Sequence, residues 1–159
     1  MFRAVLAVAL ATVLLAATLP ALDDARVERS NALLSDELDR LVTFARTLRA
    51  RETAIRAGEG ARWRVTLRLP SKTWSSAGLT SLTVGDTAGH PSTSNGTVVA
   101  WRVDGGRRRR RRVTEVPLVA RGRNGRDRLR FRSGGRHRLV LLLVRRDGTP
   151  TVLVRRPEV

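Results

Sequence analysis

Six consecutive arginines, Arg107, Arg108, Arg109, Arg110, Arg111 and Arg112, are the residues of this chain best suited to binding chemistry. Each guanidinium presents a planar fork that can pair bidentately with phosphate or carboxylate. The chemistry implied is anion capture, with a nucleic acid such as DNA, an acidic polymer or anionic lipid headgroups as ligand. A second basic cluster comprises Arg121, Arg123, Arg126, Arg128, Arg130, Arg132, Arg136 and Arg138. Like charges in a row repel, so the six-residue run is expected as a solvated loop or a distorted sheet edge. The bland alternative is that such runs only keep a protein soluble.

Little else in the sequence suits a reaction. His90 and His137 are the only histidines and there is no cysteine, so metal-ligand spacing and disulfides are both absent. The chain lacks the glycine-lysine phosphate loop, the nucleophile elbow and the dinucleotide fingerprint. Ser71-Lys72-Thr73 follows a strand pattern but lacks the glycines of a phosphate loop. The expectation is a protein that is not an enzyme, with no cofactor, no metal and no small-molecule substrate. Asn95-Gly96-Thr97 reads either as a glycosylation sequon, relevant only outside the cell, or as a tight Asn-Gly turn.

The elements that must position these arginines differ sharply in character. Ala4–Leu22 is a run of 19 uncharged positions, preceded only by Met1-Phe2-Arg3. As a helix it is about 28 Å long, enough to cross a bilayer core of about 30 Å. Thr12 and Thr18 can bond back to helix carbonyls at little cost in lipid. The competing reading is a cleaved secretory signal, although the run is longer than a typical h-region and its small-residue cleavage pattern is poor. Pro20 suits both readings, as a helix breaker near a cleavage site or a kink near an anchor's exit. The short N-terminus favours a single pass through the cytoplasmic membrane with the C-terminal domain outside; the alternative is secretion after signal cleavage.

From Asp23 to Arg56 there is no Gly or Pro, and apolar residues fall at Val27, Leu34, Leu38, Leu41, Ala45, Leu48 and Ile55. The steps of four and three from Leu34 make a heptad seam, with Asn31 and Glu52 at seam positions. Two uses fit this seam: self-association, or an amphipathic helix lying on a sheet with Leu33 and Val42 widening its apolar face. Gly58 and Gly60 end the helical pattern. Beyond them the period becomes two, and strands are expected over 61–70, 79–84, 97–103, 113–120, 128–132, 138–146 and 150–156. Turns are expected at Asp104-Gly105-Gly106 and Asp147-Gly148. Trp63, Trp74 and Trp101 are expected as core or edge-packing aromatics, with base stacking as the alternative. The segment 85–95 is expected as an exposed loop.

The expected fold is α+β. A transmembrane and stalk helix precedes a small antiparallel β domain, either sandwich or meander. The chain divides into a membrane anchor or signal segment (1–22), an amphipathic stalk (23–57) and a basic β domain (58–159). The stalk is neutral, whereas the β domain holds 23 basic and seven acidic residues, a net +16 of the chain's +17.

The apolar run, the heptad stretch Val27–Ile55 and the strands after Arg62 together resemble the architecture of type IV pilin-like proteins and pseudopilins. The stretches VLAVALATVLLAATLPALDDARVER, VTLRLP and HRLVLLLVRRDG also resemble small membrane-anchored proteins of halophilic archaea. The resemblance implies an accessory or minor subunit of a pilus or secretion-type assembly, held by Ala4–Leu22 and built through helix contacts. The alternative is an anion-binding module that captures DNA or an acidic polymer with the Arg107–Arg112 loop.

Overall fold

The computed structural model describes residues 2–51, 61–85, 96–122, 128–146 and 148–157. A single helix, α1 (Phe2–Arg51), is followed by β1 (Arg62–Leu69), β2 (Leu79–Gly85), β3 (Thr97–Val103), β4 (Arg109–Val113), β5 (Leu118–Arg121), β6 (Arg128–Phe131), β7 (Gly135–Arg146) and β8 (Thr149–Arg155). The strands form two four-stranded sheets, ordered β1-β7-β8-β5 and β4-β3-β2-β6. The α+β layout expected from the change of period is the layout observed.

The helix runs without a break through Pro20. Its first half packs on nothing among the described residues. The apolar side chains of Phe2, Val5, Leu6, Val8, Leu10, Val13, Leu14 and Leu19 are all exposed. Thr12 Oγ1 donates to the Val8 carbonyl at 2.8 Å, satisfying its hydroxyl within the helix. This is a helix long and apolar enough, by length and composition, to cross a membrane.

The second half behaves in the opposite way. Leu34, Leu38, Leu41, Val42, Ala45 and Leu48 are buried in the same apolar cluster as the inner faces of both sheets. Of the two uses open to the heptad seam, packing on the sheets is the one observed. Burying each large side chain contributes about 1.5–3 kcal/mol before ordering costs. This packing, more than helix propensity, holds the half in place. Leu33, expected to widen the apolar face, is exposed, whereas Val42 is buried. Glu52, Ile55, Gly58 and Gly60 lie outside the described residues.

Asn31 on the seam, and the polar residues Ser30 and Glu37 beside it, are answered by the β domain. The Trp101 indole N–H donates to Asn31 Oδ1 at 3.1 Å in a buried contact. Ser30 and Ser76 hydroxyls meet at 2.9 Å, also buried. Glu37 Oε1 accepts the backbone N–H of Arg68 at 2.7 Å, an outward-pointing group on edge strand β1. On the other sheet, Glu28 and Asp39 bond Arg109 and Arg111 of edge strand β4. The helix therefore reaches one edge strand of each sheet, β1 through a backbone N–H and β4 through two arginine side chains.

The strand expectations hold with two corrections. The run 113–120 is not one strand. Val113 ends β4, Leu118 begins β5, and the intervening Pro117 cannot donate to a ladder. The β domain is also not wholly antiparallel, because β5 pairs parallel to β8. The chain crosses from the second sheet to the first between β4 and β5 and meets a strand distant in sequence. That crossing is pinned by the Pro117 carbonyl accepting from Val152 N–H at 2.8 Å and by the Thr97 hydroxyl on the Leu118 carbonyl.

Candidate anion-binding surface

Of the loop and the sheet edge expected for the arginine run, the edge is what most of it forms. Arg107 and Arg108 follow the 104–106 turn, and Arg109–Val113 is edge strand β4. Alternation along β4 divides the arginines between two faces. Arg109 and Arg111 share the inward face with Val113, which is buried. Arg109 reaches Glu28 with both terminal nitrogens, at 2.7 and 3.5 Å. Arg111 reaches Asp39 at 2.5 Å and Glu115 at 3.6 Å. The Glu115 carboxyl is held below the usual carboxylate range, first by its own backbone N–H. Burial, the next largest influence, opposes it, and the Thr114 N–H and the charges of Arg111 and Arg46 add to the lowering. These two arginines are thereby bound to the helix and are poor candidates for an external ligand.

Arg110 and Arg112 face outward. Register across the second sheet sets Arg110 beside Ala100, Ala100 beside Thr83 and Thr83 beside Arg130. The next outward row sets Arg112 beside Val98, with Arg128 opposite Gly85 on the far strand. The outer face is thus a floor of small residues between arginine ridges on its two edge strands, β4 and β6. The ridges stand three strand spacings apart, about 14 Å between backbones. Val98 and Ala100 are only 4% and 2% exposed yet lie outside the apolar core cluster. Flanking arginine stems can cover apolar floor in this way while their charges stay in water.

Arg107, Arg108, Arg112, Arg128 and Arg132 are exposed and have no acidic partner among the described residues. Arg102 donates its Nε–H to the Gly106 carbonyl at 3.2 Å. The second basic cluster is divided by the fold. Arg128 and Arg130 join the outer face of the second sheet, with Arg132 just beyond β6, while Arg121 lies on β5 and Arg136 and Arg138 on β7 of the first. Arg123 and Arg126 lie outside the described residues, as do Asn95, His90 and Asp147.

Other candidate groups take structural roles. His137 packs edge-on against Phe131 at 5.0 Å and its Nε2 lies 3.1 Å from the Ser133 carbonyl oxygen. Arg156 stacks over the same Phe131 ring at 4.9 Å and donates to the Arg130 carbonyl at 2.7 Å. Trp101 is core and Trp63 half-buried, whereas Trp74 is 82% exposed, against the packing expected for it. No group of three His, Cys, Asp or Glu side chains suited to a metal ion occurs among the described residues.

The class defined by these features is an α+β protein with one long N-terminal helix, half of it apolar and unpacked, and a two-sheet basic head. The chain belongs to the family described as Domain of unknown function (DUF7311), whose model matches residues 1–157. No curated protein and no solved structure matches it.

Proposed function

We propose that the protein is a non-enzymatic, single-pass structural or accessory subunit of pilin-like design, holding its β domain outside the cytoplasmic membrane. The observation that carries this reading is the division of one unbroken helix. Its first half exposes an uncharged, largely apolar surface, while the apolar seam of its second half is consumed by the domain core. An exposed apolar surface of this extent calls for lipid or for neighbouring helices. Pilus or secretion-type assembly would use the same surface for both, lipid before assembly and like helices after it.

The absence of cysteine makes the test direct. A single cysteine at Leu10, oxidised in the native membrane, is expected to yield cross-linked species of two or more subunits. Strictly monomeric behaviour there, with the protein still in the membrane, would remove the assembly part of the reading.

A second reading, capture of a polyanion, is favoured by the outer face of the second sheet. There Arg110 and Arg112 oppose Arg128 and Arg130 across a small-residue floor. Deleting the run would destroy β4 and its helix contacts, so point changes on the outward arginines are the informative ones. Arg112→Gln with Arg128→Gln is expected to weaken binding of single-stranded DNA and to lower the salt slope by about one unit per lost phosphate contact. Binding that is flat with salt would dispose of this reading.

A further inference from the structure

The end of the β domain from which the apolar half of the helix emerges carries an exposed tryptophan that the core does not explain. Trp74 sits at the tip of a turn closed by Thr73 N–H to the Ser76 carbonyl at 3.0 Å. The turn is fixed to the helix just past its apolar run. Ser76 meets Ser30, and Ala77 N–H reaches the Arg26 carbonyl at 3.5 Å. Lys72 is bonded to Asp104 at 2.7 Å, and the Asp23 carboxylate also acts on its ammonium. A Cβ on Gly78 would lie 3.0 Å from the Lys72 backbone nitrogen, so this segment has little room to rearrange. The indole is therefore presented on a rigid mount and not on a loose loop.

A second turn flanks the helix at the same level. A Cβ on Gly106 would come within 3.1 Å of Val27, and one on Gly105, whose φ is +70°, would lie 3.6 Å from the same side chain. Directly after this turn, Arg107 and Arg108 are exposed, and the Lys72–Asp104 pair ties the two turns together. Arg26 is four residues beyond Leu22, a rise of about 6 Å along the helix. That distance matches the headgroup layer, which is roughly 5–7 Å deep on each side of a bilayer. Tryptophan favours this layer, with its ring among the upper chain segments and its N–H in water, and arginine favours the phosphates there.

We infer that this end of the domain is a lipid-contacting foot, in which Trp74 enters the headgroup layer and Arg107 and Arg108 pair with lipid phosphates. The inference rests on the reading of the apolar half as a membrane span. It gives the first two arginines of the run a ligand different from that of the outer sheet face. It also fixes the domain's tilt, because one helix alone leaves the head free to swing.

The test uses the full chain in vesicles of phosphatidylcholine with added phosphatidylglycerol. Fluorescence of wild type minus that of Trp74→Phe isolates the exposed indole from Trp63 and Trp101. Bromines placed near the headgroup end of the acyl chain are expected to quench that difference signal strongly, and bromines near the chain terminus weakly. Wild type should gain quenching as phosphatidylglycerol is added, and a double Arg107→Gln, Arg108→Gln variant should lose most of that gain. A difference signal as open to aqueous acrylamide as free tryptophan, in protein that floats with the vesicles, would overturn the foot and leave the span intact. Protein that does not float would overturn both.

Discussion

The two halves of α1 have the same helical backbone and opposite fates. The first places Val5, Leu6, Val8, Leu10, Val13, Leu14 and Leu19 in the open, whereas the second buries Leu34, Leu38, Leu41, Val42 and Leu48 against two sheets. The difference lies in spacing. The first half is uncharged all round from Ala4 to Leu22, so no face is reserved for a protein partner. The second half is apolar only along a seam, with acids beside it at Glu28, Glu37 and Asp39 that match an edge N–H and two arginines. A continuous apolar surface suits a continuous apolar solvent, and a seam suits a folded surface with polar groups at its borders.

The sharpest way to break this comparison is to shorten a leucine in each half. Leu48→Ala is expected to cost about 2–5 kcal/mol in denaturant unfolding of the β domain. Leu10→Ala should leave that unfolding unchanged, since Leu10 touches no core. Comparable losses in both would mean that the first half also packs on the domain.

A smaller effect is expected where the seam turns polar. Trp101→Phe removes the N–H that satisfies Asn31 and leaves a buried amide oxygen unpaired, at a cost of about 1–3 kcal/mol. Combining it with Asn31→Leu should recover part of the loss, and a purely additive double mutant would argue against the pairing.

On β4 the two arginine faces can be separated. Arg111→Gln should destabilise by no more than about 1 kcal/mol, with the loss shrinking as salt is added, because its partners are largely exposed. Arg112→Gln should not change stability.

The smallest effect concerns pH. Hydrogen bonding to Lys72 holds the Asp104 carboxyl below its ordinary value, and the same bond raises the Lys72 ammonium. The aspartate's contribution is therefore present above the ordinary carboxylate range of about 4 and is lost as pH falls through its lowered folded value. The lysine's contribution is present below its ordinary value and is lost as pH rises through its raised one. Asp104→Asn should flatten the pH profile of unfolding slightly at both ends.

Much of this was legible in the sequence because it is local. Period-two alternation in Arg62-Trp63-Arg64-Val65 gives β1 nearly residue for residue, and the uncharged run from Ala4 to Leu22 gives the apolar half. What was not legible is set by partners far along the chain. Arg109 and Arg111 look self-repelling until Glu28 and Asp39, more than 70 positions away, are brought beside them. The parallel pairing of β5 and β8 depends on a crossing between sheets that no local pattern announces. The outer arginine face arises only because register aligns Arg110 with Arg130 through two intervening strands. The exposure of Trp74 was hidden for the same reason, since its turn is held by helix residues 26–30.

Single cysteines placed in each half test the central claim most directly. Leu14 and Thr43 are both exposed in the fold. In vesicles opened to water on both sides, a charged maleimide should label Thr43→Cys rapidly and leave Leu14→Cys unlabelled until detergent is added. Equal labelling of the two without detergent would contradict the division of the helix between lipid and protein.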